Sequence, residues 1–357
     1  MTMSVKPVRT AETEAETVTA TEVVLPGVVE PSGLQMRQRP LAAPGAGQVL
    51  VRVEAAGVSF AEQSMRRNRY PGQPKFPFVP GYDLIGVVAA TGPDVDRAWT
   101  GKRVAALTKT GGWASYAVIP AVTLVEVPAG VDPADAETLV VNGITAWQLL
   151  HRSARIQAGQ TILVHGANGG VGTTLVQLAR HAGVRVIGTA SPKHHDQLRA
   201  LGVEPIDYHD PDLTGRVRAL APDGVDAVFD HLGLDSARRS YRLLARGGTL
   251  VSYGTAAQRD SRTPMLVLFL PLLTQLALWN YLPTGRRASF YNVWGGHRAN
   301  PARFWARLRS DLGQVLALLG DGVLTGQVAA RMPLTEVTAA MELAESHTVV
   351  GKVILEP

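Results

Sequence analysis

The sequence contains no cysteine. That absence excludes disulfides, iron–sulfur clusters, thiol catalysis and every zinc site built on thiolates. Only a thiolate-free metal site, drawn from the 9 histidines and the carboxylates, stays open. A large excess of either charge is also absent. The 35 Lys+Arg against 30 Asp+Glu give a net +5, which suits an anionic ligand but is too weak to indicate nucleic acid. The first residues lack a charged–apolar–cleavage pattern, so no secretory signal is expected and the cytoplasm is the default location. Long hydrophobic runs are missing too. The most apolar stretch, Met265–Trp279, is interrupted by Pro271, Thr274 and Gln275 and falls short of the ~20 residues of a spanning helix. A buried or lid-like helix is expected there, with interfacial membrane contact as the alternative.

What is present points to a two-domain globular chain. A length of 357 residues with 46% hydrophobic side chains excludes wholesale disorder and exceeds one small core. Residues 1–20, rich in Thr, Glu and Ala, are expected as a mobile tail. Period-2 apolar patterns follow at 23–25, 49–53, 84–88, 103–106 and 117–119, separated by Pro and Gly clusters. They predict a β-rich first domain. From Pro133 the pattern changes: 134–151 is helical, and strands then alternate with helices. Strands are predicted at 161–165, 184–188, 226–229 and 249–253, with helices at 171–182 and 235–244. Such alternation implies βαβ units, hence an α/β fold with a doubly wound parallel sheet. Helices at 312–319 and 334–346 and a strand at 352–355 close the chain.

The most specific local signal is Thr161-Ile-Leu-Val-His-Gly-Ala-Asn-Gly-Gly-Val-Gly172. A buried strand runs into a glycine turn and then into a helix N-terminus, where unpaired N–H groups favour a pyrophosphate. Asn168, Gly169, Gly170, Val171 and Gly172 are therefore candidate cofactor contacts, with Ala167 standing where the usual GxGxxG has its first glycine. The second strand lacks the Asp or Glu that grips a ribose 2′-hydroxyl in NAD sites. It ends instead in Ser191 and Lys193, a hydroxyl and a cation suited to a 2′-phosphate, which favours NADPH. His165, just before the turn, is read as a core histidine, whereas His231 at a strand end can approach the cofactor.

Several ordered motifs extend this reading: Gly57-Val-Ser-Phe60, Tyr70-Pro-Gly72, Pro80-Gly-Tyr-Asp-Leu-Ile-Gly86, Gly143-Ile-Thr145, Ala167-x-Gly-Gly-Val-Gly172 and Gly351-Lys-Val-Ile-Leu355. Together they resemble the medium-chain dehydrogenase/reductase superfamily in its zinc-free quinone oxidoreductase branch. Within it the chain looks closest to vesicle amine transport protein-like members and polyketide enoyl reductase domains. The resemblance implies a GroES-like catalytic domain begun by 21–144 and rejoined by 298–357. A Rossmann NADP-binding domain would occupy 145–297, and a homodimer would form through an edge strand that Ser289-Phe-Tyr-Asn-Val-Trp294 resembles.

The zinc enzymes of that superfamily carry Gly-His-Glu where this chain has Gly81-Tyr82-Asp83, and their other ligands are cysteines. The resemblance therefore implies no metal. It implies hydride transfer from NADPH to a quinone or an α,β-unsaturated carbonyl, either an enone or an enoyl thioester. Thr145 would sit near the nicotinamide ribose, Tyr208 near the 2′-phosphate, Gly188 and Gly254 along the adenosine and nicotinamide sides, and Lys352 close to the cofactor. Ser59, standing where many quinone reductases have Asn, is a catalytic candidate beside Tyr70. Tyr70 aligns with a proposed proton donor of enoyl reductases; it either donates a proton or only shapes the pocket while water does so. The alternative from another class is a low-turnover NADPH-binding protein acting through membrane or protein contacts of residues 265–279.

Overall fold

Alternating side chains build the first sheets. The computed structural model describes residues 18–256, 263, 265–346 and 348–357. In it β1 (Thr19–Val24) pairs antiparallel with β2 (Gln35–Pro40). Most of the expected N-terminal tail, residues 1–17, lies outside the described residues. Its last two residues, Thr19 and Ala20, belong instead to β1, and Ala20 is fully buried. The small side chain that fits this close packing is also why no apolar pattern marked the strand.

β3 (Gln48–Val58) is the central strand of a second sheet, with Val49, Val51 and Val53 inside and Arg52 exposed. The helix α1 (Phe60–Arg66) follows it directly. β4 (Asp83–Thr91) and β6 (Tyr116–Pro120) flank β3, β5 (Arg103–Leu107) pairs with β4, and β7 (Val125–Glu126) pairs with β5, all antiparallel. The predicted helical region resolves into α2 (Pro133–Thr138), α3 (Val140–Trp147) and a widened final turn over Gln148–Ala154. Asp132 caps α2 by accepting from the Ala134 and Asp135 N–H groups, and Pro133 sits in the first turn, where its missing N–H costs nothing.

The chain then alternates: β8 (Thr161–His165), α4 (Gly170–His181), β9 (Arg185–Ala190), α5 (His195–Ala200), β10 (Val203–Asp207), α6 (Leu213–Leu220), β11 (Val225–Asp230), α7 (Leu234–Leu243), β12 (Leu244–Ser252), α8 (Met265–Trp279) and β13 (Arg287–Phe290). The strands form one parallel sheet in the order β10-β9-β8-β11-β12-β13. Helices cover both faces, so Ile162, Leu163 and Val164 are all fully buried, as a continuous apolar run requires. The order reverses between β8 and β11, which opens a crevice beyond their carboxyl ends.

After α9 (Pro301–Gly320) the chain returns to the sheet built on β3. β14 (Val328–Pro333) and, beyond α10 (Val337–Glu345), β15 (Lys352–Glu356) pair with each other in parallel, and β15 runs antiparallel to β3.

The apolar segment is α8, and the expectation of a buried helix holds for one stripe only. Leu272, Leu276 and Trp279 pack into the core, whereas Leu266 is 73% and Leu278 55% exposed. A run apolar on every side cannot tell in advance which side will be covered. Among the described residues no helix is long and apolar enough to cross a membrane.

Candidate active site

A cavity of about 1660 Å³ extends from the β8–β11 crevice to the sheet built on β3. Its floor at one end is the glycine turn. Gly166 adopts φ +64°, and a Cβ there would lie 2.6 Å from the His231 ring. A Cβ on Gly170 would lie 2.5 Å from Asn142 Nδ2, and one on Gly172 would run into the Gly166 carbonyl. The turn thus excludes side chains on three sides. Gly169, Gly170, Val171 and Gly172 line the cavity, and the first N–H groups of α4 have no intrahelical partner. This cradle fits the pyrophosphate of a dinucleotide. Asn168 lies outside the cavity lining.

A directed hydrogen-bond chain anchors the turn. The Gly166 N–H donates to Thr189 Oγ1 at 3.2 Å, and Ser240 donates to Asp230 Oδ2 at 2.7 Å. His165 bridges them, with Nδ1 3.2 Å from Thr189 Oγ1 and Nε2 3.0 Å from Ser240 Oγ. Because the Ser240 proton is given to Asp230, His165 donates through Nε2 and accepts at Nδ1. Burial lowers its pKa, which keeps this neutral form. His165 is a core residue, as read from the sequence. His231 does line the cavity, and burial lowers its pKa to about 4.

The residues expected around a 2′-phosphate lie outside the cavity lining, at the ends of β9 and β10. Parallel pairing of Gly188 with Pro205 and Ala190 with Asp207 brings Ser191 beside Tyr208. Tyr208 is 51% exposed, and Lys193 is exposed with no hydrogen-bond or ion-pair partner among the described residues. Gly188 itself is buried under the turn, where a Cβ would fall 2.7 Å from that of Ala167. Gly254 lines the cavity against His231.

At the opposite end stand Thr145, Ser59, Tyr70 and Lys352. Ser59 caps α1: its hydroxyl accepts from the Ala61 N–H at 3.2 Å and donates to the Glu62 carboxylate. Glu62 also accepts from the Ser59 N–H at 2.9 Å and the Tyr82 N–H at 2.6 Å. Burial, reinforced by the charge of Asp83, pushes the pKa of Glu62 up to about 7. Lys352 lines the cavity, but its ammonium contacts both Asp83 oxygens at 2.8–2.9 Å and Glu137 Oε1 at 2.8 Å. Burial alone would lower the lysine pKa; the two carboxylates hold it above the ordinary range. Burial and Asp83 together raise Glu137 well above the usual carboxylate range.

The sequence marks Tyr82 only as standing at a zinc-ligand position and Trp294 only as part of an edge strand. In the structure Tyr82 hydrogen-bonds both Tyr70 and Trp294, and Asp83 is paired with Lys352. Among the described residues no group of three His, Asp or Glu side chains stands within reach of one metal ion.

Comparison with known proteins adds the family context. Residues 45–129 match the alcohol dehydrogenase GroES-like domain and residues 201–355 the zinc-binding dehydrogenase family. The human synaptic vesicle membrane protein VAT-1 homolog is 34% identical, over 94% of this chain and 86% of that protein. A mycocerosic acid synthase-like polyketide synthase of Mycobacterium tuberculosis is 32% identical over 88% of this chain, which spans 14% of that synthase. A quinone oxidoreductase of Pseudomonas syringae pv. tomato superposes with a TM-score of 0.80 at 29% identity, covering 95% of this chain and 100% of that one. A mycobacterial protein solved in complex with NADPH gives 0.79 at 28% identity, with the same coverage.

Proposed function

The chain belongs to the zinc-free quinone oxidoreductase branch of the medium-chain dehydrogenase/reductase superfamily, and from that premise we propose that it is a zinc-independent, NADPH-dependent reductase of quinones or α,β-unsaturated carbonyls. The observation that carries this reading is one continuous cavity, with a glycine-rich phosphate cradle at one end and Tyr70 and Tyr82 at the other. When bound, NADPH supplies a hydride from its nicotinamide ring.

The chain's own residues bind, orient and balance charge. Gly169, Gly170, Val171 and Gly172 would hold the pyrophosphate on the α4 N-terminus, and Ser191, Lys193 and Tyr208 would receive the 2′-phosphate. Thr145 orients the nicotinamide end. A conjugated acceptor spreads the incoming negative charge onto its own carbonyl oxygen, so a positioned hydrogen-bond donor suffices. Tyr70 supplies the proton that the α-carbon then takes. Ser59 does not, because its hydroxyl proton is held by Glu62. Among the described residues the outer edge of β13 has no partner strand in the sheet, which supports a homodimer joined there.

The test is incubation with NADPH and a panel of quinones, enones and enoyl thioesters, with reduced products identified by mass spectrometry. Product from at least one class is expected. NADPH binding without any product overturns the reading.

The exposed face of α8 favours a second reading, a low-turnover NADPH-binding protein that meets a membrane or protein partner through residues 265–279. Co-flotation with liposomes, lost on Leu266→Ser and Leu270→Ser together, supports it; retention in the bottom fraction contradicts the membrane form.

A further inference from the structure

The hydroxyl of Tyr70 does not stand alone. Trp294 Nε1 lies 2.5 Å from Tyr82 Oη, and Tyr82 Oη is hydrogen-bonded to Tyr70 Oη. An indole N–H can only donate, so the Tyr82 oxygen accepts from Trp294. Tyr82 is 2% exposed, and a buried hydroxyl proton needs an acceptor. Among the described residues, the Tyr70 oxygen is the acceptor within its reach. Tyr82 therefore donates to Tyr70, and the proton of Tyr70 cannot point back. It points into the cavity that Tyr70 lines.

The chain is held rigidly at each link. Trp294 stacks on Phe304 at 5.7 Å and meets Trp305 and His297 edge-on. The Tyr82 backbone N–H is fixed by Glu62, and the Tyr70 and Tyr82 rings meet edge-on at 5.5 Å. Nothing in this arrangement requires reorganisation when charge develops on Tyr70.

We propose that Tyr82 and Trp294 are positioning residues that set the direction of the Tyr70 proton and stabilise the phenolate left when it is given up. The proposal rests on the reductase reading and deepens it. Hydride enters the β-carbon of an enone, and the π electrons move onto the carbonyl oxygen. The resulting enolate then takes the Tyr70 proton at its α-carbon. The Tyr70 phenolate is held by the Tyr82 O–H until a water in the cavity reprotonates it. One hydride and one proton are consumed per turnover. Burial raises the Tyr70 pKa, which keeps the phenol protonated beforehand, and the Tyr82 hydrogen bond opposes that rise, easing release. A quinone takes its protons at oxygen, where water serves, so it draws far less on this chain.

The experiment compares wild type, Tyr82→Phe and Trp294→Phe with a medium-chain α,β-unsaturated aldehyde and with menadione. Tyr82→Phe should lower the aldehyde-to-menadione ratio of kcat by about 10- to 100-fold, in kcat rather than KM. Trp294→Phe should lower it in the same direction by less, and Trp294→His, which can restore a ring N–H, should recover part of the loss. A ratio unchanged in both phenylalanine variants overturns the relay, whether total activity is kept or falls evenly. If Tyr82→Phe does not fold, Trp294→Phe and its rescue decide alone. Wild type inactive toward both acceptors overturns the reductase reading and the relay with it; an active wild type with an unmoved ratio overturns the relay only.

Discussion

Lys352 Nζ lies 2.8 Å from Asp83 Oδ2, joining β4 to β15 across the sheet built on β3. The contact spans 269 residues, and both side chains are almost wholly buried. Removing one member of a buried pair strands the other charge. Lys352→Met should therefore destabilise the protein by about 3–5 kcal/mol in denaturant melts. The double variant Lys352→Met/Asp83→Asn should regain part of that loss. A stable single variant would show that the pair does not clamp the sheet.

The glycine cradle makes a sharper demand. In Gly172→Ala the new methyl runs into the Gly166 carbonyl at the turn expected to hold the pyrophosphate. NADPH affinity, followed by fluorescence titration, should fall at least about tenfold, the equivalent of ~1.4 kcal/mol. Unchanged affinity in a folded variant would remove the cradle from the cofactor site.

Cofactor preference should follow Lys193. Its ammonium has no partner among the described residues and stands free for a 2′-phosphate. A hydrogen bond to a charged group is worth about 1.5–3 kcal/mol, so Lys193→Ala should cut the NADPH-over-NADH ratio of kcat/KM by about 10- to 100-fold. A ratio that stays constant would place the 2′-phosphate elsewhere.

Glu62 gives a pH signature. Its carboxyl titrates at about 7 in the folded chain, above its ordinary 4.5, so between those values the folded state binds more protons than the unfolded one. Stability then falls as pH rises through that window, by about 3 kcal/mol from this group. Glu62→Gln should remove that component, seen as a flatter pH dependence of the melting midpoint between pH 4.5 and 7. An identical slope in wild type and variant would contradict it.

Local patterning made much of the architecture legible. The strand–turn–helix of β8 and α4 carries its own glycine spacing, and the missing acid after β9 is visible in a few residues. The Tyr82–Trp294 bond joins side chains 212 residues apart, and no local pattern reports such a meeting. The resemblance places Ser59 at a catalytic position, but its commitment to Glu62 depends on helix capping geometry that no local pattern shows. Ala20 was missed because a small buried residue carries little apolar signal. Even composition left α8 undecided, since only the tertiary fold chooses which of its faces is covered.

The central claim is hydride transfer from NADPH to a conjugated acceptor without zinc. It is tested most directly by dialysing the protein against a chelator and following nicotinamide absorbance with quinone and enone acceptors. Absorbance should fall with at least one acceptor, at a rate the chelator does not change. NADPH that binds but is never consumed, or a rate abolished by the chelator and restored by zinc, would contradict the account.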